Sequence, residues 1–121
     1  MNIEHKIEEN MPNAVEQIKE KLGLKIKKDI LAKYKKDIIE IKIFGSYVDG
    51  TATPESDIDV CFFLKDENKS IISEIENALY FIGLENDVLI SPSYFFEYEI
   101  KQKIYEYAPF YNAVMAKGVS I

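Results

Sequence analysis

Two aspartates one residue apart, Asp57 and Asp59, open the apolar run Ile58-Asp59-Val60-Cys61-Phe62-Phe63-Leu64. In an extended strand, residues i and i+2 project from one face, so the two carboxylates would stand side by side. Like charges that close oppose each other's ionisation, and a divalent cation offsets the repulsion directly. Hard Mg²⁺ takes carboxylate oxygens together with substrate phosphates. Alone, such a pair is also what a solvated strand end looks like. Upstream, the run 38–44 stops abruptly at Gly45-Ser46. A strand that turns through Gly-Ser into a short helix presents backbone N–H groups to an anion. The glycine lets a phosphate approach the backbone, and the serine hydroxyl adds a donor. Gly-Ser after a strand is by itself an ordinary turn. In tandem the halves are far more specific: Gly45-Ser46, ten residues, then Asp57-Ile58-Asp59-Val60, each half abutting an apolar strand.

The elements that must position these groups follow from periodicity. Pro12, after Asn10-Met11, marks a helix start. Val15, Ile18, Leu22, Ile26, Ile30 and Leu31 then recur at helical spacing, with Gly23 as a candidate break. Residues 38–44 have a strand's β-branched content and partial alternation. Residues 46–56 are turn-rich, and 58–64 read as a second strand covered on both faces. Asn68 caps a helix over 69–82 that buries Ile71, Ile72, Ile75, Leu79 and Ile82, and Gly83 stops it. Asp87-Val88-Leu89-Ile90 reads as a short third strand. Ser91-Pro92 opens a further helix with Phe96, Ile100, Ile104 and Tyr107 on one face; Pro109 ends it, and an amphipathic stretch, 110–117, follows. Strands alternating with helices indicate an α/β layer fold.

Length and composition bound the rest. The 121 residues fit one domain, 1–121, with a helical region over about 1–37 and a core over about 38–121. The net charge is −6, and no arginine is present, so phosphate contacts fall to Lys, hydroxyls and backbone N–H groups. A binder of long nucleic acid would carry a basic surplus, which argues against that class. Lys19 to Lys36 is a local exception, with eight Lys against Glu20 and Asp29; it reads as a solvated helix face or as a basic flank for a triphosphate or an acidic partner. No apolar run suits a membrane span. The polar, acidic N-terminus does not suit a signal peptide, and a single cysteine points to the cytoplasm. His5 reads as incidental and Cys61 as a buried apolar residue. The aromatic group Tyr94, Phe95, Phe96, Tyr98, Tyr105, Tyr107, Phe110 and Tyr111 is too large for one helix face to bury, leaving part for a partner surface.

The motif pair resembles the nucleotidyltransferase superfamily that includes DNA polymerase β. The likeness is nearest to its minimal nucleotidyltransferases, whose GSxARG…SDID stands here as GSYVDG…SDIDV. It runs from about Ile38 to the C-terminus, with 109–112 and 117–119 similar to the end of those proteins. The resemblance implies a polymerase β-like α/β (α+β) fold, a small mixed central sheet flanked by helices. It implies that Gly45 and Ser46 grip the phosphates of ATP, and that Asp57 and Asp59 hold Mg²⁺, two ions in the family's pattern. A third carboxylate from a neighbouring strand is implied too; Asp87 is the matching position and Glu85 a weaker one, with Asp87 holding the second metal or taking the acceptor's proton. One departure is clear: the family's Arg before the second motif glycine is Asp49.

Small members of this family commonly pair with HEPN-domain proteins, as antitoxin to an RNase toxin. The resemblance therefore implies transfer of AMP to a tyrosine of such a partner. Two alternatives stay open. One is an antitoxin that only occludes its partner, and the other a small-molecule nucleotidyltransferase of the aminoglycoside type, which usually carries a second helical domain.

Overall fold

The computed structural model describes residues 14–53 and 55–121. The helix start at Pro12, and His5, lie outside these residues. Helix α1, Ala14–Ile26, runs through Gly23 without a break and continues into a wider π-helical turn, Lys27–Leu31. Strand β1 (Ile38–Phe44) leads into one turn of helix, α2 (Ser46–Asp49). Strand β2 (Ile58–Leu64) is followed by helix α3 (Lys69–Asn86) and strand β3 (Ile90–Phe96). Two short helices, α4 (Glu97–Lys101) and α5 (Pro109–Lys117), precede a two-residue strand, β4 (Val119–Ser120).

The sheet is mixed, in the order β3-β2-β1-β4. Strand β2 pairs antiparallel with β1 and parallel with β3, while β4 pairs antiparallel with β1. Both faces of β2 are covered, as its unbroken apolar run requires. Ile58, Val60, Phe62 and Leu64 pack with Leu22, Ile26 and Ile30 of the N-terminal helical segment and Ile75, Leu79 and Ile82 of α3. Cys61 and Phe63 face the other way, onto Phe95 and Val114. Mixed sheet and flanking helices give the α/β class expected from the sequence.

Helix α3 is capped as its first residue suggests: the Asn68 side chain accepts hydrogen bonds from Ser70 N and Ile71 N at 3.1 and 3.2 Å. Its end differs from expectation. The helix passes through Gly83 to Asn86 and stops at Asp87, which is left-handed (φ 53°). Val88 N donates to Gly83 O at 3.0 Å and Asp87 N to Leu84 O at 3.4 Å, the crossed pair of a Schellman ending. Gly83 is needed for close approach: a Cβ there would meet the returning Val88 carbonyl at 2.5 Å.

The segment after the helix also differs. Asp87-Val88-Leu89 precedes the strand, and Ser91-Pro92 lies inside β3 instead of opening a helix. Proline is tolerated there because β3 is an edge strand with one unpaired side. The aromatic triplet Tyr94-Phe95-Phe96 then extends the strand, as its β propensity favours.

Most of the aromatic group is structural. The Phe95 ring lies 5.0–5.9 Å from those of Tyr105, Phe110 and Tyr111. Tyr94 stacks on Phe62 across the opposite face. Tyr107, 88% exposed, is the clearest exception. The lysines of 19–36 lie along the N-terminal helical segment and the turn after it, most of them exposed, and Lys25 pairs with Asp29 at 3.1 Å. Their arrangement is that of a solvated face.

Candidate active site

Gly45 sits between β1 and α2 with φ 80° and ψ −148°, a region open to glycine almost alone. The reason is visible across the strand pair. Phe44 is in register with Asp59, and the Asp59 carboxylate occupies the space a side chain at Gly45 would fill, its Cγ 3.3 Å from where a Cβ would stand. The two halves of the motif therefore pack against each other, carboxylate on glycine.

Asp59 is half-buried on the sheet face that α5 covers, and Asp57 is exposed at the entry to β2. Burial pushes the Asp59 carboxyl above its ordinary range, and the charge of Asp57 pushes it further. Neither carboxylate has an ion-pair partner among the described residues. The nearby Cys61 thiol is pushed up to about 11 by burial and by Asp59, which keeps it protonated and inert.

Asp49 is turned to a local task. Its carboxylate accepts from Thr51 N at 3.0 Å and from the Thr51 hydroxyl, closing the turn after α2. Those bonds lower its pKa, and Lys117 at the end of α5 lowers it a little further. Asp49 thus braces the loop.

Asp87 lies apart from the pair. It ends α3 and lines a groove of about 510 Å³ between α3 and β3, together with Leu79, Gly83 and Pro92; neither Asp57 nor Asp59 lines it. Opposite Asp59 on β3 stands Ser91. Two residues earlier is Leu89, 63% exposed, whose carbonyl accepts from Ile58 N at 2.9 Å. Among the described residues no group of three His, Cys, Asp or Glu side chains is close enough to share a metal ion. The structure thus brings together Gly45, Asp57 and Asp59, with Ser46 beginning α2 beside them, and leaves Asp87 and Glu85 outside.

Sequence reasoning missed Tyr47. It is the second residue of α2 and only 2% exposed, and its hydroxyl is enclosed with no hydrogen-bond partner among the described residues. Burial raises its pKa, followed by the charges of Asp57 and Glu55. The available signal was a large aromatic directly after Gly-Ser, where a solvated turn would carry a small polar residue.

Comparison with known proteins gives a family assignment. A family model described as a nucleotidyltransferase domain matches residues 24–111, well over half of the chain. No curated protein matches it. Among solved structures, a Sulfolobus solfataricus protein assigned as a nucleotidyltransferase is 18% identical with a TM-score of 0.46, covering 77% of this chain and 83% of that one. Among the described residues no helix is long and apolar enough to cross a membrane.

Proposed function

The chain belongs to the nucleotidyltransferase domain family, and we propose that it transfers AMP from ATP to a tyrosine of a HEPN-domain partner, acting as the antitoxin of that pair. The observation that supports nucleotidyl transfer is the packing of the Asp59 carboxylate onto Gly45, with Asp57 beside it and no ion-pair partner for either among the described residues. Such a pair costs stability unless charge of the opposite sign joins it.

The donor set fits a hard divalent cation. Mg²⁺ commonly binds through one or two carboxylates and completes its octahedron with water and substrate phosphates, so Asp57 and Asp59 suffice on the protein side. When bound, the cation would neutralise charge on the triphosphate and polarise the phosphate that reacts.

The chain's own residues supply the rest. Gly45, lacking a side chain, makes room for the Asp59 carboxylate, while its N–H and the Ser46 hydroxyl donate to the β- or γ-phosphate. The acceptor oxygen attacks the α-phosphorus as the bond to the β-phosphate bridging oxygen breaks. Pyrophosphate leaves, and the tyrosine proton passes to solvent or to a carboxylate on the acceptor side. Asp87 enters as the candidate for that last role, from the groove beside β3.

A second reading, inhibition by occlusion alone, is favoured by one observation: among the described residues no third carboxylate stands with the pair. Intact-mass spectrometry separates the two. Incubation with the partner, ATP and Mg²⁺ should add one or more AMP units to a partner tyrosine, and inhibition should persist after this chain is removed. Unmodified mass, with activity returning on dilution, would leave only occlusion.

A further inference from the structure

Tyr47 has no part in the chemistry described so far, yet its hydroxyl is the one buried side-chain polar atom left unpartnered among the described residues. Native interiors satisfy nearly all such groups, and an exception calls for a cause. The ring is held in the main core with Ile58, Val60 and Leu22, so the hydroxyl cannot swing out to water without unpacking it. Its acidic neighbours are Asp57 and Glu55. Asp57, in turn, is exposed and accepts no hydrogen bond from any described residue. An unused donor and an unused acceptor therefore share the same corner of the site. A carboxylate that gives one oxygen to a metal keeps free lone pairs, and a hydrogen bond to them orients the ligand.

We propose that Tyr47 is a positioning residue whose hydroxyl donates to the Asp57 carboxylate when a metal–nucleotide complex fills the site. The inference rests on the reading of Asp57 and Asp59 given above. The phenol has one O–H to donate, and an ionised carboxylate can only accept, so the direction of the bond is fixed. That bond would hold Asp57 in one orientation while the ligand is bound.

The test is Tyr47→Phe, which removes one oxygen and keeps the ring. Thermal melts without ligand should be unchanged or higher, because an unpaired buried group has been deleted. Titration with Mn²⁺ and α,β-methylene-ATP should show roughly tenfold weaker binding than wild type, the scale on which such orienting bonds act. In an Asp57→Asn background the same change should add no further loss. A merely structural role predicts the reverse, a lower melting temperature with equal affinity of the folded protein. If wild type binds the Mn²⁺–analogue complex and Tyr47→Phe binds it equally, this inference alone is overturned, whether or not an enclosed water satisfies the hydroxyl. If wild type binds none, the metal–nucleotide reading falls as well, and this inference with it.

Discussion

The carboxylate of Asp59 stands in the space that a side chain at Gly45 would need, with its Cγ 3.3 Å from the position of a Cβ. Gly45→Ala should therefore cost stability twice, through steric conflict with Asp59 and through a backbone at φ 80° and ψ −148° that costs alanine about 1–3 kcal/mol. Urea unfolding of Gly45→Ala and of Gly45→Ala/Asp59→Gly would separate the two costs. The second variant should recover part of the loss and none of the activity. Equal stability of Gly45→Ala and wild type would mean that the backbone is not held as described.

Asp57→Asn and Asp59→Asn should each reduce transfer by well over tenfold, more than 1.4 kcal/mol of transition-state stabilisation, while leaving the fold intact. The pH dependence carries a sign. Burial, then Asp57, raises the folded-state pKa of Asp59, so the folded chain binds the proton more tightly than the unfolded one. Ionised Asp59 therefore opposes folding at neutral pH, and stability is regained as pH falls through the raised folded pKa. The stability advantage of Asp59→Asn over wild type should be largest near pH 7 and shrink on acidification. An advantage that does not change with pH would contradict the assignment.

Asp87→Asn tests the acceptor-side role. Asparagine tolerates the left-handed conformation at φ 53°, so helix α3 should still end there and the melting temperature should hold. Transfer should fall, but by less than in either variant of the central pair, since Asp87 lines a separate groove. Unchanged activity would reduce Asp87 to a helix stop.

Asp49→Arg replaces the acid by the arginine of the motif that the sequence resembles, at the cost of the Thr51 bonds. The variant should melt lower than wild type. Any gain in ATP affinity should fade with added salt, because an exposed charge acts through solvent. A variant that melts higher would show that the turn does not depend on Asp49.

Strands β1 and β2 were legible to the residue, because their limits are set by local pattern: β-branched runs closed by Gly45 at one end and opened by Asp57 at the other. The Asn68 cap was legible for the same reason. Strand β3 was not. Ser91-Pro92 is a sound helix start in isolation, and only the strand's place at the sheet edge makes proline acceptable within it. Gly83 misled in a related way, since its missing side chain serves a carbonyl five residues on in place of a turn. At the site, the tandem motif located Gly45, Asp57 and Asp59, whereas Tyr47 showed itself only once burial and hydrogen-bond partners could be counted.

Strand β2 is flanked by partners on both edges and covered on both faces, while Asp57 immediately before it is exposed. Backbone amides should therefore divide sharply in hydrogen exchange: those from Ile58 onward protected up to global unfolding, those of Glu55 and Asp57, which donate to no described residue, exchanging freely. The boundary falls between the two aspartates. Asp59 is carried by the slowest-opening segment of the molecule and Asp57 by one of the fastest, so one carboxylate is a fixed post and the other an adjustable hand.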